Sequence, residues 1–378
     1  MKVMHIITGL STGGAEMMLL KLLAQTDLKQ YESEVVSLTN IGPVGAQIEK
    51  LGISVRALNM PRGVLNPFAV LRLGYWIRLS APDVVQTWMY HADLIGGIAA
   101  KLAGNCKIVW GIHNSTLDQQ LSKRTTIWTA RACAKLSRKI PDEIVCCSQA
   151  SRAVHRKLGY EERKMVVIPN GFDLANFKPD STARLSLRQE LDIPLESNIV
   201  GLVGRFDPQK DHRGFIRAAA LLEKMLPNVH FVLCGDGVEW ENDELSTWAG
   251  EAGIERKIHL LGRRQDMPRI FAALDVYCNS SAFGEAFPNV VGEAMASGVP
   301  CVVTNVGDCA AMVGEVGEVV APRDPVALSE ALYKFLQFNA EERALLGRRG
   351  RCRVEENFSL SSVVACYEHL YDEVLGAH

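Results

Sequence analysis

The chain has 378 residues, 48% of them hydrophobic and 22% charged. That length suits two hydrophobic cores, and the composition excludes both disorder and a polytopic membrane protein. Net charge is only −2, yet residues 1–178 carry 22 Lys and Arg against 13 Asp and Glu, whereas the remainder carries 19 against 30. A basic first half suits an anionic partner, and an acidic second half opposes wrapping on nucleic acid. Gly9 and polar neighbours interrupt the start before a signal-peptide core can form, and no apolar run reaches membrane-spanning length, so a cytoplasmic protein is expected. The ten cysteines include no C-x-x-C pair and read as small hydrophobes, neither zinc ligands nor disulfides.

Short apolar runs recur in chain order at Val3–Ile7, Val35–Leu38, Ile53–Leu58, Val84–Gln86, Ile108–Trp110, Ile144–Cys147 and Val166–Ile168, with amphipathic stretches between them. This alternation predicts an α/β domain with a parallel sheet and helices on both faces. Pro169-Asn170-Gly171 reads as a turn, and the polar stretch Lys178–Ser197 as a linker with a short helix. The alternation restarts at Ile199–Val203, Phe231–Leu233, Ile258–Leu260, Val276–Cys278, Cys301–Thr304 and Glu318–Val320. A second doubly wound domain is therefore expected, followed by helices over Pro325–Phe338, Ala340–Asn357 and Leu360–Leu375, where apolar residues recur at three and four positions.

Three segments could carry chemistry. Thr8 to Glu16 is a glycine-rich turn containing Gly13 and Gly14, placed after the first strand where backbone N–H groups can meet phosphate. Its spacing is neither the dinucleotide fingerprint nor a P-loop, so a purely structural turn is equally compatible. After the eighth run, Gly204-Arg205-Phe206-Asp207-Pro208-Gln209-Lys210 sets two cations five residues apart. They suit a diphosphate leaving group or, alternatively, surface ion pairs. The third segment, Ser281 to Pro300, places Glu285 in a loop and Glu293 eight positions later in a helix, with Phe287, Pro288, Asn289 and Val290 at the turn between, where backbone N–H groups can meet phosphate. Pro288 contributes only its ring and carbonyl. Either glutamate alone could simply cap a helix or be solvated.

Taken together, GGAE after the first strand, G-R-x4-K, Gly235-Asp236-Gly237 after a strand, E-x7-E followed by A-S-G-V-P, and a helical tail resemble the retaining GT-B glycosyltransferases of family 4 over nearly the whole chain. The resemblance implies two Rossmann-like doubly wound domains facing each other across a cleft. Residues 1–178 would form the acceptor side, with 358–378 crossing back onto it, and 179–357 the donor side. It implies that Glu293 binds the nucleotide ribose, Glu285 the donor sugar, and Arg205 and Lys210 the diphosphate. Gly13, Gly14 and Gly235 would complete the donor site, and His113 would be the active-site histidine. Ala286 stands where the family often has glycine. His91 and Tyr90, after the fourth run, are candidates for the acceptor site.

The resemblance implies transfer of a hexosyl unit, with retention, from a nucleoside diphosphate sugar, UDP before GDP, to a glycan or lipid-linked saccharide. The nucleotide sugar is a co-substrate, and no other cofactor is expected. Asp-x-Asp is absent and no histidine pair has metal-ligand spacing, so no catalytic metal is expected either. Cations at Arg62, Arg72, Arg78, Lys123, Arg124, Arg131, Lys135, Arg138 and Lys139, interleaved with Phe68, Tyr75, Trp76 and Trp128, suit an anionic membrane surface, or else ordinary amphipathic helices. A nucleotide-sugar epimerase and a non-catalytic nucleotide-sugar or glycan-binding protein are the alternatives. A dinucleotide dehydrogenase would need a G-x-G-x-x-G that neither half supplies.

Overall fold

The computed structural model describes residues 1–61, 67–115, 117 and 123–376; Arg62 lies outside them. The chain divides into two compact units, Met1–Gly171 with Leu360–His378, and Phe172–Ser359.

The first unit is built on a parallel sheet of seven strands, β1 (Lys2–Ile7), β2 (Glu32–Ser37), β3 (Ser54–Ala57), β4 (Val84–Trp88), β5 (Lys107–Ile112), β6 (Glu143–Cys146) and β7 (Met165–Val167). Their order in space is β3-β2-β1-β4-β5-β6-β7. Helices pack on both faces, so the central strands are buried on both sides and read as near-continuous apolar runs. Helix Leu360–Leu375 belongs to this unit. Its Val363, Val364, Tyr367 and Leu370 join the core formed by Val3, Ile7, Trp88 and Val145. A side chain on Gly171 would fall 2.8 Å from the Leu360 Cα, so the turn before the second unit needs glycine for close approach.

The second unit repeats the plan with six parallel strands, β8 (Asn198–Val203), β9 (Val229–Cys234), β10 (Ile258–Leu260), β11 (Val276–Asn279), β12 (Cys301–Thr304) and β13 (Glu318–Val320), in the order β10-β9-β8-β11-β12-β13. The stretch Lys178–Ser197 is less of a linker than its polarity suggests. It contains helix Ser181–Glu190, whose fully buried Arg188 donates to Asp275 Oδ2 at 2.8 Å and to the Ser197 carbonyl at 2.8 Å. These bonds clamp the helix to the foot of the sheet, because a buried guanidinium must have its donors and its charge met.

In both sheets the winding reverses between the first and fourth strands, β1 beside β4 and β8 beside β11. Loops leaving the carboxyl ends of such a strand pair diverge and leave a crevice, which is where ligands bind in open α/β sheets. All three chemistry-bearing segments leave strands at these points.

Burial sets the acid limit of the fold. It lowers His5 to about 3 and His113, His155, His212 and His230 to about 4, from 6.5. The unfolded chain therefore binds protons that the folded chain refuses, so this contribution is complete above pH 6.5 and is lost as pH falls from 6.5 towards 4. Buried Asp93, raised to about 8, acts with the opposite sign between pH 4 and 8, and burial also raises Glu16, Glu143 and Glu368, but the five imidazoles outnumber these four carboxylates. Thermal unfolding should show the midpoint falling from pH 6.5 to 4.5; a flat profile there would contradict the burial of these rings.

Candidate functional site

In the second unit, the loop after β8 and the loop after β11 are tied together by backbone. Ala282 N–H donates to the Gln209 carbonyl at 2.8 Å, and Ser280 Oγ donates to the Lys210 carbonyl at 2.7 Å. The tie brings together two residues far apart in sequence: Lys210 Nζ donates to Glu285 Oε1 at 2.5 Å. Ser281 Oγ, fully buried, meets the same oxygen at 2.6 Å. Both charges are largely withdrawn from water, the side chains being 15% and 7% exposed, so the pair is held more firmly than a surface ion pair. Arg205, by contrast, is 62% exposed and its Nε donates to Asp207 at 3.2 Å. It is a solvent-exposed cation on the loop after β8.

Glycines shape the walls. Gly235, at the end of β9, has no room for a side chain, since a Cβ would stand 2.0 Å from the Gly204 carbonyl oxygen. The loops after β8 and β9 therefore touch backbone to backbone. Gly307, in the left-handed region at φ +58, lies against the other side of the Glu285 loop, where a Cβ would sit 2.0 Å from the Glu285 carbonyl oxygen. Asp308 N–H adds a 3.1 Å bond to the Ala286 carbonyl. Gly307→Ala should therefore destabilise the second unit by roughly 2–5 kcal/mol through backbone strain and overpacking. Urea unfolding of the variant checks this; an unchanged midpoint would show that the loop can give way.

The helix Asn289–Ala296 begins at Pro288, with no side chain capping its N-terminus. Its first turn presents backbone N–H groups and the positive end of the helix dipole. Phe287 is buried against Phe172 at 6.1 Å and Phe358 at 5.2 Å between ring centres, which fixes the entry of the chain into the helix. Glu293 follows on this helix, partly exposed. Lys210, Glu285, Glu293, Arg205, Gly235 and the turn Phe287–Val290 thus all belong to the carboxyl edge of one sheet. Sequence reading missed Ser281, Gly307 and Thr304, whose Oγ1 donates to the Ser281 carbonyl at 2.6 Å. Only the glycine left a trace, as a Gly-Asp turn after an apolar run.

In the first unit, helix Gly14–Gln25 starts at Gly13, and a Cβ there would lie 2.5 Å from Glu16 Oε2. The Glu16 carboxylate, its pKa raised by burial, thus curls back over the amino end of its own helix. Above β1 and β4 opens a cavity of about 590 Å³ lined by Thr8, Gly9, Ser11, Glu16, Thr39 and His91, among others. His91 therefore faces a ligand-sized space. Tyr90 does not: it is buried, and its hydroxyl lies 2.6 Å from His155 Nε2, whose Nδ1–H is committed to the Ser151 carbonyl at 2.7 Å. Tyr90 lies in the hydrophobic core of the first unit, because adjacent residues on a helical turn point in different directions.

His113 follows β5 and stacks on Trp88 at 4.9 Å and 15°. Trp88 in turn packs on Tyr367 and sends its indole N–H to His5 Nδ1 at 3.3 Å. Burial keeps the His113 imidazole neutral at physiological pH, and its Nε2 has no hydrogen-bond partner among the described residues. Among the described residues, no three His, Cys, Asp or Glu side chains are grouped to hold a metal ion, and no helix is long and apolar enough to cross a membrane.

Comparison with known proteins agrees with this fold. Residues 197–337 match the family described as Glycosyl transferases group 1, and residues 12–176 match Glycosyltransferase Family 4. A D-inositol 3-phosphate glycosyltransferase of Salinispora tropica is 33% identical over 361 residues, 89% of this chain and 72% of that one. UDP-Gal:alpha-D-GlcNAc-diphosphoundecaprenol alpha-1,3-galactosyltransferase of Escherichia coli is 30% identical over 230 residues, which span 59% of this chain but only 58% of the enzyme's length. Among solved structures, Anabaena HepE in complex with UDP superposes with a TM-score of 0.87 at 23% identity, covering 99% of this chain and all of that one. With both halves matched and the two doubly wound sheets in place, the chain belongs to the GT-B glycosyltransferases of family 4.

Proposed function

We propose that the protein moves a hexosyl unit from a UDP-sugar to a hydroxyl of a lipid-linked saccharide, with retention of anomeric configuration and without a metal ion. The observation that carries this reading is the Lys210–Glu285–Ser281 cluster at the crevice of the second unit, beside Arg205 and the amino end of helix Asn289–Ala296. A diphosphate needs cations and N–H donors that strengthen as the leaving group gains charge, and these groups supply them where a metal would otherwise act. Glu293 would hold the ribose diol, and Glu285 the sugar hydroxyls once Lys210 turns to phosphate. In the step itself, the anomeric C–O bond to phosphate breaks and the acceptor oxygen bonds to that carbon on the same face. Its proton passes to the departing phosphate oxygen; in the first unit, His91 lines the cavity proposed for the acceptor.

Support for UDP comes from the HepE complex, and support for a lipid-linked acceptor from the undecaprenol-linked substrate of the Escherichia coli relative. With such an acceptor the protein would work at the cytoplasmic face of a membrane. Calorimetric titration with UDP and GDP in EDTA, with Glu293→Ala in parallel, tests the assignment. UDP binding without metal, lost in the variant, is the expected result. If neither nucleotide binds, the donor site is misassigned. Release of free or epimerised sugar nucleotide in place of transfer would favour the epimerase.

A further inference from the structure

The foot of the second sheet gathers more positive charge than its one buried acid can meet. Asp275 Oδ2 accepts from Arg188 Nη2 and from the Ile199 N–H, both at 2.8 Å, and Oδ1 accepts from Arg184 Nη1. That leaves Arg343 Nη2 at 3.9 Å from Oδ1, too far for a hydrogen bond. Three guanidiniums therefore share one carboxylate, and little water reaches them: the Arg188, Arg343 and Arg184 side chains are 0%, 16% and 40% exposed. Their other acceptors include the carbonyls of Ser197, Leu336 and Leu195, which satisfy N–H groups but carry no charge. Arg188 Nε has no partner among the described residues. Burial lowers the Arg188 pKa and the Arg184 charge lowers it further, against the pull of Asp275.

Arg184, Arg343 and Asp275 line a cavity of about 290 Å³, and the rest of its lining, Leu274, Pro300 and Ala344 among it, brings no second acid. We propose that this cavity binds a phosphate dianion between Arg184 and Arg343, either as inorganic phosphate or as the phosphate of a small monoester. Three guanidiniums less one carboxylate leave two positive charges, which a dianion matches. The planar guanidinium fork suits phosphate oxygens, and the apolar wall and modest volume suit a small organic body. Asp275 precedes β11, so the cavity lies at the amino edge of the sheet, whereas Glu285 follows that strand at the carboxyl edge. The site is therefore separate from the donor crevice and does not depend on the proposed function. Bound phosphate would neutralise the cluster and join helix Ser181–Glu190, which carries Arg184 and Arg188, to helix Ala340–Phe358, which carries Arg343. The second unit would gain stability in proportion to the ligand bound.

The test is calorimetric titration of the whole chain with inorganic phosphate and with glycerol 3-phosphate at constant ionic strength, alongside thermal unfolding in the same buffers. Binding with a Kd of about 1 mM or lower is expected, and the melting temperature should rise with ligand concentration. Arg184→Gln should weaken binding about tenfold or more. Ala344→Glu should do the same, because its carboxylate would take the place of the phosphate; a cooperative melt of each variant shows that it is folded. Lys210→Ala, altered in the donor crevice, should bind phosphate as the native protein does. Tighter binding of glycerol 3-phosphate would identify a phosphomonoester as the occupant and tighter binding of inorganic phosphate the free ion, and either order supports the site. Absence of binding by both ligands, undiminished binding in both cavity variants, or loss of phosphate binding in Lys210→Ala would each overturn the proposal. Failure of UDP to bind, with phosphate binding intact, would instead strike the functional reading alone.

Discussion

Glu285→Gln should bind UDP more tightly than the native protein while transferring sugar on the order of 10²–10³-fold more slowly. The reason lies in what Lys210 now touches. Its ammonium is engaged by Glu285 Oε1 at 2.5 Å, so a diphosphate must draw the lysine away from a carboxylate before it can use it. A hydrogen bond to a charged group contributes about 1.5–3 kcal/mol net, and removing the charge from Glu285 relieves most of that competition, enough for roughly tenfold tighter UDP. The amide retains an oxygen to accept from Ser281 Oγ, so the loop keeps its anchor. What is lost is the carboxylate that, on the proposed function, would orient the donor sugar and face the positive charge developing at its anomeric carbon. Calorimetry with UDP, paired with initial rates on the sugar nucleotide, reads both effects. Weaker UDP binding by the variant would mean that Glu285 helps to hold the nucleotide and that the exchange of partners does not occur.

Lys210→Ala should be damaged in the opposite sense, losing about 10²-fold in UDP affinity and on the order of 10³-fold in kcat/KM. Electrostatic donors aimed at a leaving group account for losses of this size, and Arg205, 62% exposed and engaged with Asp207, is more screened by water than the lysine it would have to replace. The variant also leaves the Glu285 carboxylate, 7% exposed, with Ser281 but without its cation. Stability should fall by about 1–3 kcal/mol, measurable by urea unfolding. Combining the two changes should restore much of that stability, because a neutral amide needs no counter-charge, while leaving activity at the level of Lys210→Ala. Equal loss of stability in the single and double variants would show that the ion pair is not what holds the loop.

Element type and order were legible in the sequence because each depends on local periodicity. Val3–Ile7 and Phe231–Leu233 are apolar on both faces, as only a strand covered on two sides can be, and the helical tail repeats at three and four residues. The segments that reach the crevice were legible as well, since Lys210, Glu285 and Glu293 sit in strand-to-helix segments that can be read one at a time. What the side chains do there was not. Lys210 and Glu285 are 75 positions apart, and they meet because β8 lies beside β11; alternating strands and helices permit many strand orders, and only packing of the whole sheet selects one. The same holds for Tyr90 and His91, neighbours on one helical turn, of which the core takes the first and the cavity the second. It holds too for helix Pro67–Ser80, whose apolar residues Leu71, Leu73, Ile77 and Leu79 are spread over more than one face. Periodicity determined that it is a helix, but which face the sheet would bury and which would be left to solvent was decided only when the first unit closed around its core.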